Sequence, residues 1–126
     1  MAEIKYKYES SNNIEFITRE FIGKVIVDDL IQSFQYLIDK KLSNKLYKGI
    51  ITDLRYAVLS LSATDFERLM IFVKENEVLG NLKLAVLVDT PEKIVFPTMA
   101  SYKFKLNVRP YTTREAAVEW IVSGLS

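Results

Sequence analysis

The stretch from Leu82 to Val88 is the feature of this sequence that most constrains its fold. It reads Leu-Lys-Leu-Ala-Val-Leu-Val and is the most continuous hydrophobic run in the chain. A strand of this kind carries apolar side chains on both faces, so both faces must be covered. Because helices cover both faces of a parallel sheet, the run predicts a central strand of an α/β fold.

Two extended runs at the start of the chain predict an N-terminal hairpin. Apolar and charged residues alternate from Ile4 to Tyr8, which is the period-two pattern of a half-buried strand. The polar cluster from Ser10 to Asn13 predicts a turn, and a second extended run continues from Ile14 to about Ile22. Gly23 then breaks the pattern.

Helical periodicity follows the hairpin. Apolar residues spaced three and four apart predict a first helix, with Asp28 placed to cap it and Asp29 in its first turn. The apolar stripe of this helix consists of Leu30, Ile31, Phe34, Leu37, Ile38 and Leu42. A stripe of this kind has to pack against another element, so it predicts a helix lying on the sheet.

A buried strand and a second helix come next. The apolar run from Gly49 to Leu54 predicts the strand, with Asp53 near its end. Ser62 and Asp65 match a capping box, in which each side chain accepts the backbone N–H of the other residue. We therefore expect the second helix to begin after Ser62 and to end near Gly80. Its predicted buried face consists of Phe66, Leu69, Met70 and Val73.

The last part of the chain predicts two more helices separated by a short strand. Pro97 can open a helix, which predicts a third helix from about Pro97 to Lys105. Val108 to Tyr111 predicts the last strand, and Thr112 with Glu115 predicts a capping box before the closing helix. The inner face of the closing helix is predicted to be Ala116, Ala117, Trp120 and Ile121.

The predicted element order is therefore β-β-α-β-α-β-α-β-α. After the hairpin, strands and helices alternate strictly, which favours a largely parallel sheet with helical layers. We expect an α/β fold with a mixed sheet and an N-terminal hairpin. No linker or internal repeat interrupts residues 1–126, so we expect a single domain.

The composition excludes several classes of function. The chain has no histidine and no cysteine, which are the commonest general base and the source of thiolate chemistry. We expect no enzyme, no metal site and no cofactor. The net charge of +1 gives no field of one sign that would attract nucleic acid. No signal peptide and no apolar run of about 20 residues is present, so we expect a cytoplasmic protein without a transmembrane segment.

Asp53 and Arg55 are the first candidate site residues. They are two apart on or just beyond a central strand, so their side chains point the same way. One interpretation is a charged pair at the carboxyl end of a parallel sheet, where open α/β folds bind ligands. The favoured interpretation is a local ion pair that fixes the following loop, because a lone aspartate without a second acid, base or metal ligand cannot carry out hydrolysis.

Hydroxyl groups crowd the start of the second helix, at Ser60, Ser62 and Thr64. Hydroxyls at a helix N-terminus are plausible phosphoacceptors, because the helix dipole and free N–H groups stabilise added negative charge. The favoured interpretation is again structural, because capping alone accounts for Ser62. Asp53, Arg55, Ser62 and Thr64 together form a candidate switch or partner-binding loop.

The segment from Ile94 to Phe104 is unusually apolar for a connection followed by a short helix. Its apolar side chains are a candidate surface for a small hydrophobic ligand, because methionine and aromatic residues adapt to varied partners. The candidate surface consists of Phe96, Met99, Tyr102 and Phe104. Ordinary core under the third helix is the favoured alternative, and a homodimer face is another.

Three stretches of the chain resemble a known family. They are Gly23 to Leu30 before the first helix, Thr52 to Arg55 leading to Leu61, Ser62 and Asp65, and the closing stretch from Tyr111 to Ile121. In this order and spacing the chain resembles the SpoIIAA-like branch of the STAS proteins, which are related in fold to the CRAL-TRIO lipid-binding domains. The similarity covers the chain from Ile14 onward.

The resemblance implies binding rather than catalysis. STAS anti-sigma-factor antagonists are switched by phosphorylation of a serine at the N-terminus of the second helix, where they bind a kinase or another partner. Ser62 occupies that place, although the family's Asp-Ser-Ser-Gly-type motif is replaced by Leu61 to Asp65. The lipid-binding relatives imply instead a hydrophobic ligand between the sheet and the third helix, near Phe96 to Phe104.

Two functions remain open from the sequence. The leading one is a non-enzymatic regulatory or protein-interaction module that works through the loop around Ser62. The alternative is a carrier or sensor of a small hydrophobic, lipid-like ligand in a pocket under the third helix.

Overall fold

Five strands form one sheet in chain order, with helices on both of its faces. The computed structural model describes residues 2–124. The strands are β1 (Glu3–Ser11), β2 (Ile14–Ile26), β3 (Tyr47–Ser60), β4 (Lys83–Leu87) and β5 (Val108–Tyr111). The helices are α1 (Val27–Lys40), α2 (Ala63–Glu75), α3 (Glu77–Gly80), α4 (Pro91–Lys103) and α5 (Arg114–Val122).

The predicted hairpin and the alternating order that follows it are both confirmed. β1 runs antiparallel to β2, and every later neighbouring pair of strands is parallel. Asn12 and Asn13 join the first two strands with positive φ angles of 53° and 65°. Asparagine tolerates this left-handed conformation, which matches the twist of a two-residue hairpin turn. The chemistry of the turn therefore fixes the register of β1 on β2.

The second strand continues past the glycine that was expected to end it. β2 runs to Ile26, and Gly23 lies within it with a φ of 93°, a conformation that glycine adopts without strain. β3 is also longer than predicted, because its second half stays paired with β2 as far as Ser60. The predicted ends near Ile22 and Leu54 are therefore wrong. β4 pairs with β3 only as far as Asp53, so β3 extends well beyond its neighbour.

The capping residue differs from the prediction at two of three helix starts. The N-cap of α1 is Ile26, whose N–H donates to the Asp29 carboxylate at 2.9 Å, so Asp28 is not the cap. Ser62 caps α2 as predicted, since its Oγ accepts the N–H of Asp65 at 3.1 Å. Thr113 rather than Thr112 caps α5, because its Oγ1 accepts the N–H of Ala116.

Two helices have other bounds than those predicted. α2 ends at Glu75, and a separate single-turn helix, α3, follows and ends at Gly80. The predicted second helix therefore consists of two helices. α4 begins at Pro91, six residues before the predicted start, because Pro91 occupies the first turn where no N–H is needed. Pro97, which was expected to open this helix, lies inside it.

The helices divide between the two faces of the sheet. α1, α2 and α4 cover one face, which we call the α4 face, and their buried side chains pack on Ile17, Ile50 and Leu84. α5 alone covers the opposite face, which we call the α5 face, where Trp120 and Ile121 pack on neighbouring strands. In the part of the chain that the structure describes, no helix is long and apolar enough to cross a bilayer.

Candidate functional site

A cavity of about 70 Å³ lies on the α4 face, between the sheet and helices α1, α2 and α4. One water molecule needs only about 10–15 Å³ of such space, so the cavity is large enough for several non-hydrogen atoms. Its walls are almost entirely apolar. Small ligands bind in concave sites of this character, which makes this cavity the candidate functional site.

Short side chains on α4 and on the sheet leave this space open. Pro97 and Ala100 are the buried residues of α4, and both line the cavity. Thr52 and Val86 line it from the sheet. None of these four side chains is long enough to fill the gap between a helix and a sheet, which is normally closed by larger residues.

Aromatic rings form one wall of the cavity. Phe66 of α2 stacks on Phe96 of α4, with ring centroids 4.7 Å apart, and both rings line the cavity. Phe104 meets Phe66 edge-on, with centroids 6.2 Å apart. These contacts hold α4 against α2 along this wall of the cavity.

Arg19 of β2 is a buried charged residue that lines the cavity. Its side chain is only 2% exposed, and it lines the cavity beside apolar residues. Nε donates to Thr52 Oγ1 at 2.8 Å and Nη1 donates to the carbonyl of Leu30 at 2.9 Å. Cζ also lies 3.5 Å from the centre of the Phe34 ring, which is a cation–π contact. Among residues 2–124, no carboxylate forms an ion pair with this guanidinium.

Burial changes the electrostatics of this arginine. Desolvation lowers the pKa of Arg19 to about 9, and Tyr6 on the neighbouring strand acts in the opposite direction. At neutral pH the guanidinium therefore still carries its positive charge. An arginine is rarely buried without a paired anion, because taking a charge out of water is costly.

A groove on the surface adjoins the cavity. The groove has a volume of about 380 Å³ and lies between the end of β3 and the first turns of α4. Leu59, Leu61, Lys93 and Phe96 line both the groove and the cavity, so they form the boundary between the two.

Lys93 holds one side of that boundary. Its Nζ donates to the carbonyl of Leu54 at 2.9 Å and to the Asp89 carboxylate at 2.7 Å. The hydrogen bond from Lys93 lowers the pKa of Asp89. These contacts tie the first turn of α4 to β3, because the ammonium group reaches both elements.

Asp53 and Arg55 form the predicted ion pair, but the pair does not fix a following loop, because β3 continues to Ser60. Nε and Nη2 of Arg55 donate to the two carboxylate oxygens of Asp53 at 3.0 and 2.9 Å, and the hydrogen bond raises the pKa of Arg55. Asp53 lies in β3 between Thr52 and Leu54, which line the cavity, so its side chain points to the opposite face. The pair therefore lies in a strand, apart from the cavity and from the loop around Ser62.

Ser62 and Thr64 lie at the exposed N-terminus of α2. Ser62 N–H donates to the Asp65 carboxylate and Ser62 Oγ accepts the Asp65 N–H, both at 3.1 Å, which completes the capping box. The capping box accounts for the serine at position 62 and for the aspartate at position 65. The role of Ser62 and Thr64 as a switch or partner-binding site stays a prediction.

The predicted apolar ligand surface divides into two sets. Phe96 lines the cavity, and Phe104 packs against the core through Phe66. Met99 and Tyr102 point to solvent on the outer side of α4, with exposures of 39% and 87%. The helix starts six residues earlier than predicted, and its buried side carries Pro97 and Ala100 instead. Met99 and Tyr102 therefore do not line the cavity.

Arg19 is the site residue that sequence reasoning missed. The second extended run contains Thr18, Arg19 and Glu20 in succession, which looks like a polar interruption. Residues two apart in a strand share a face, and both neighbours of Arg19 on its face, Ile17 and Phe21, are apolar and completely buried. This parity was the available signal that an arginine lies in the core.

A solved structure has the same fold as this chain. It is that of an uncharacterized protein from the DUF3478 family of Shewanella loihica PV-4, described as having a SpoIIAA-like fold. The two chains are 16% identical, the comparison covers 96% of this chain and 95% of that chain, and the TM-score is 0.68. The chain therefore has a SpoIIAA-like fold, as the resemblance implied.

Family models and curated proteins add no relative to this solved structure. No family model matches the chain. No curated protein matches it either.

Proposed function

We propose that this protein binds a small apolar molecule in the cavity under α4, without catalysing a reaction on it. The observation that carries the proposal is the cavity itself, an apolar space of about 70 Å³ that adjoins a surface groove. Protein interiors are normally packed to the density of organic crystals, so an apolar cavity of this size is unusual. Apolar cavities stay free of water and bind apolar molecules when these fit.

Titration with 1-hexanol tests this proposal. We expect 1-hexanol to shift the NMR signals of residues that line the cavity, such as Leu69, Ala100 and Val108, in a saturable way. The neutral alcohol is the appropriate first probe, because it reports on the apolar cavity alone. Saturable shifts confined to other surfaces, or no shifts at all, would contradict the proposal.

A variant that fills the cavity provides the matched control. Ala100→Leu adds three carbon atoms to a completely buried side chain that lines the space. Leucine is a good helix former, so we expect α4 to be retained. In this variant 1-hexanol should no longer cause saturable shifts, whereas Met99→Leu on the outer side of α4 should leave binding unchanged.

The second candidate function is a regulatory switch at the N-terminus of α2. Its support is the exposure of Ser62 and Thr64, which makes both hydroxyls accessible to a kinase. Phosphopeptide mapping of the native protein tests it. A switch requires phosphate at Ser60, Ser62 or Thr64, and a change in bound partners for Ser62→Asp. Ser62→Asn is the control, since it retains a capping side chain without a charge.

A further inference from the structure

We propose that the ligand of this cavity carries a carboxylate, and that Arg19 binds that group. This inference rests on the proposed binding function and names the chemical class of the ligand, a small carboxylate with an apolar body. The geometry points to this class because a buried guanidinium lines an otherwise apolar cavity without an anionic partner from residues 2–124.

Arg19 retains hydrogen-bonding capacity beyond the two bonds that it makes within the chain. A guanidinium has five N–H donors arranged as a planar fork. The chain's own acceptors engage this fork through Nε and Nη1, with one hydrogen bond each. Carboxylates are the groups that match such a fork, and charge-assisted hydrogen bonds to them are the stronger kind.

Thr52 supplies a second group at the same place. Its Oγ1 accepts the hydrogen bond from Arg19 Nε, which leaves the hydroxyl proton of Thr52 available as a donor. Thr52 also lines the cavity. A carboxylate beside the guanidinium would therefore meet donors from two neighbouring strands, β2 and β3.

The charges around the cavity favour an anion over a neutral or cationic group. Among the residues that the structure describes, two cationic side chains line the cavity, Arg19 inside it and Lys93 at its boundary with the groove, and no acidic side chain does. Lys93 is already engaged by Asp89. The uncompensated charge is therefore that of Arg19, and a ligand carboxylate would neutralise it in a medium of low polarity, where the attraction is strong.

The walls limit the rest of the ligand to a short apolar body. Leu30, Phe66 and Leu69 surround the space with hydrocarbon, and the whole cavity is about 70 Å³. A longer chain would have to pass Leu59 and Phe96 into the groove. We therefore choose a six-carbon carboxylate, hexanoate, as the probe.

Three probes of the same length separate charge from shape. Hexanoate, 1-hexanol and hexylamine share a hydrocarbon tail and differ in the polar group. We expect hexanoate to bind the wild-type protein roughly tenfold or more tightly than 1-hexanol, which is the order of effect of a charge-assisted hydrogen bond. Hexylamine should bind more weakly than 1-hexanol, because its ammonium would lie beside the guanidinium.

Arg19→Met is the decisive variant. Methionine fills a similar volume without a charge, so we expect 1-hexanol to bind about as well as it does to the wild-type protein. The preference for hexanoate over 1-hexanol should disappear. A merely structural role of Arg19, through Leu30 and Phe34, would alter the binding of both probes together. Arg19→Lys should retain part of the preference, because an ammonium keeps the charge but loses the fork.

The outcomes distinguish this inference from the function on which it rests. If 1-hexanol and hexanoate bind the wild-type protein equally well, the carboxylate inference is wrong and the apolar cavity remains. If neither binds, both proposals are wrong. Should Arg19→Met fail to fold, Thr52→Val replaces it, because it removes one donor for the carboxylate while keeping the side-chain shape. Loss of part of the hexanoate preference in Thr52→Val supports the inference, and an unchanged preference overturns it.

Discussion

The two faces of the sheet bury their charged groups in opposite ways. On the α5 face, Asp53 is 2% exposed and is held by two hydrogen bonds from the Arg55 side chain. On the α4 face, Arg19 is equally buried and has no carboxylate partner within residues 2–124. Both groups lie in the central strands, so depth in the sheet does not explain the difference.

The two faces also differ in how closely their side chains pack. On the α5 face, a side-chain carbon at Gly49 would lie 2.7 Å from the carbonyl oxygen of Lys83 and 3.0 Å from Ile121. On the α4 face, a cavity of about 70 Å³ remains beside Ala100. On the α5 face the buried charge of Asp53 is thus paired and the packing at Gly49 is close, whereas the α4 face has a buried cation without a carboxylate partner within residues 2–124 and retains a space.

The largest expected change in the free energy of unfolding comes from breaking the ion pair of Asp53 and Arg55. Arg55→Ala leaves the Asp53 carboxylate buried without its partner, so we expect the free energy of unfolding to fall by about 3 kcal/mol. Chemical denaturation monitored by circular dichroism measures this change. Arg55→Lys, which retains a positive charge, should lose less. Equal losses in the two variants would show that the charge of Arg55 does not matter.

The second largest effect is on the close contact of the α5 face. Gly49→Ala places a methyl group against a backbone oxygen that cannot move aside, so we expect a loss of about 2 kcal/mol. Gly80→Ala is the matched control, because no atom lies within 4 Å of the added carbon. Its free energy of unfolding should change little or rise slightly. Similar losses in both variants would contradict the tight packing assigned to this face.

Removing the charge of Arg19 should change the free energy of unfolding by a smaller amount, and should raise it. Arg19→Met relieves the desolvation of a buried cation but gives up its contact with Phe34. We expect the free energy of unfolding to rise by about 1 kcal/mol, measured by the same denaturation experiment. A loss of several kcal/mol would mean that Arg19 is a structural residue and not a group reserved for a ligand.

Filling the cavity should change stability least. Ala100→Leu adds three carbon atoms where Gly49→Ala adds one, yet we expect its free energy of unfolding to stay within about 1 kcal/mol of the wild-type value. The added side chain has space to occupy on the α4 face. A loss larger than that of Gly49→Ala, measured by thermal and chemical denaturation, would remove the contrast between the two faces.

Much of the fold could be predicted because its signals are local. The alternation from Ile4 to Tyr8, the turn residues near Asn12 and the capping box at Ser62 each act over a few neighbouring positions. Pro97 misled the prediction of α4, because proline is favoured in the first turn of a helix and costly in its interior, yet Pro97 lies inside α4. Gly23 misled that of β2, because a glycine with positive φ can bend a strand without ending it.

The candidate site could be predicted only in part, for physical reasons. Phe96 was predicted from its apolar segment, and it lines the cavity. Arg19 was missed because its burial depends on which face of β2 meets the helices, which strand pairing decides. The cavity itself is the space that three helices and four strands leave unfilled between them, and no short stretch of sequence records that outcome.

A crystal structure of the protein with hexanoate tests the central claim most directly, namely that a carboxylate ligand completes the α4 face. We expect the six-carbon chain in the cavity beside Phe66 and Ala100. The carboxylate should lie about 2.7–2.9 Å from the guanidinium nitrogens of Arg19. Hexanoate bound with its carboxylate in the surface groove, or an empty cavity at saturating hexanoate, would contradict the claim.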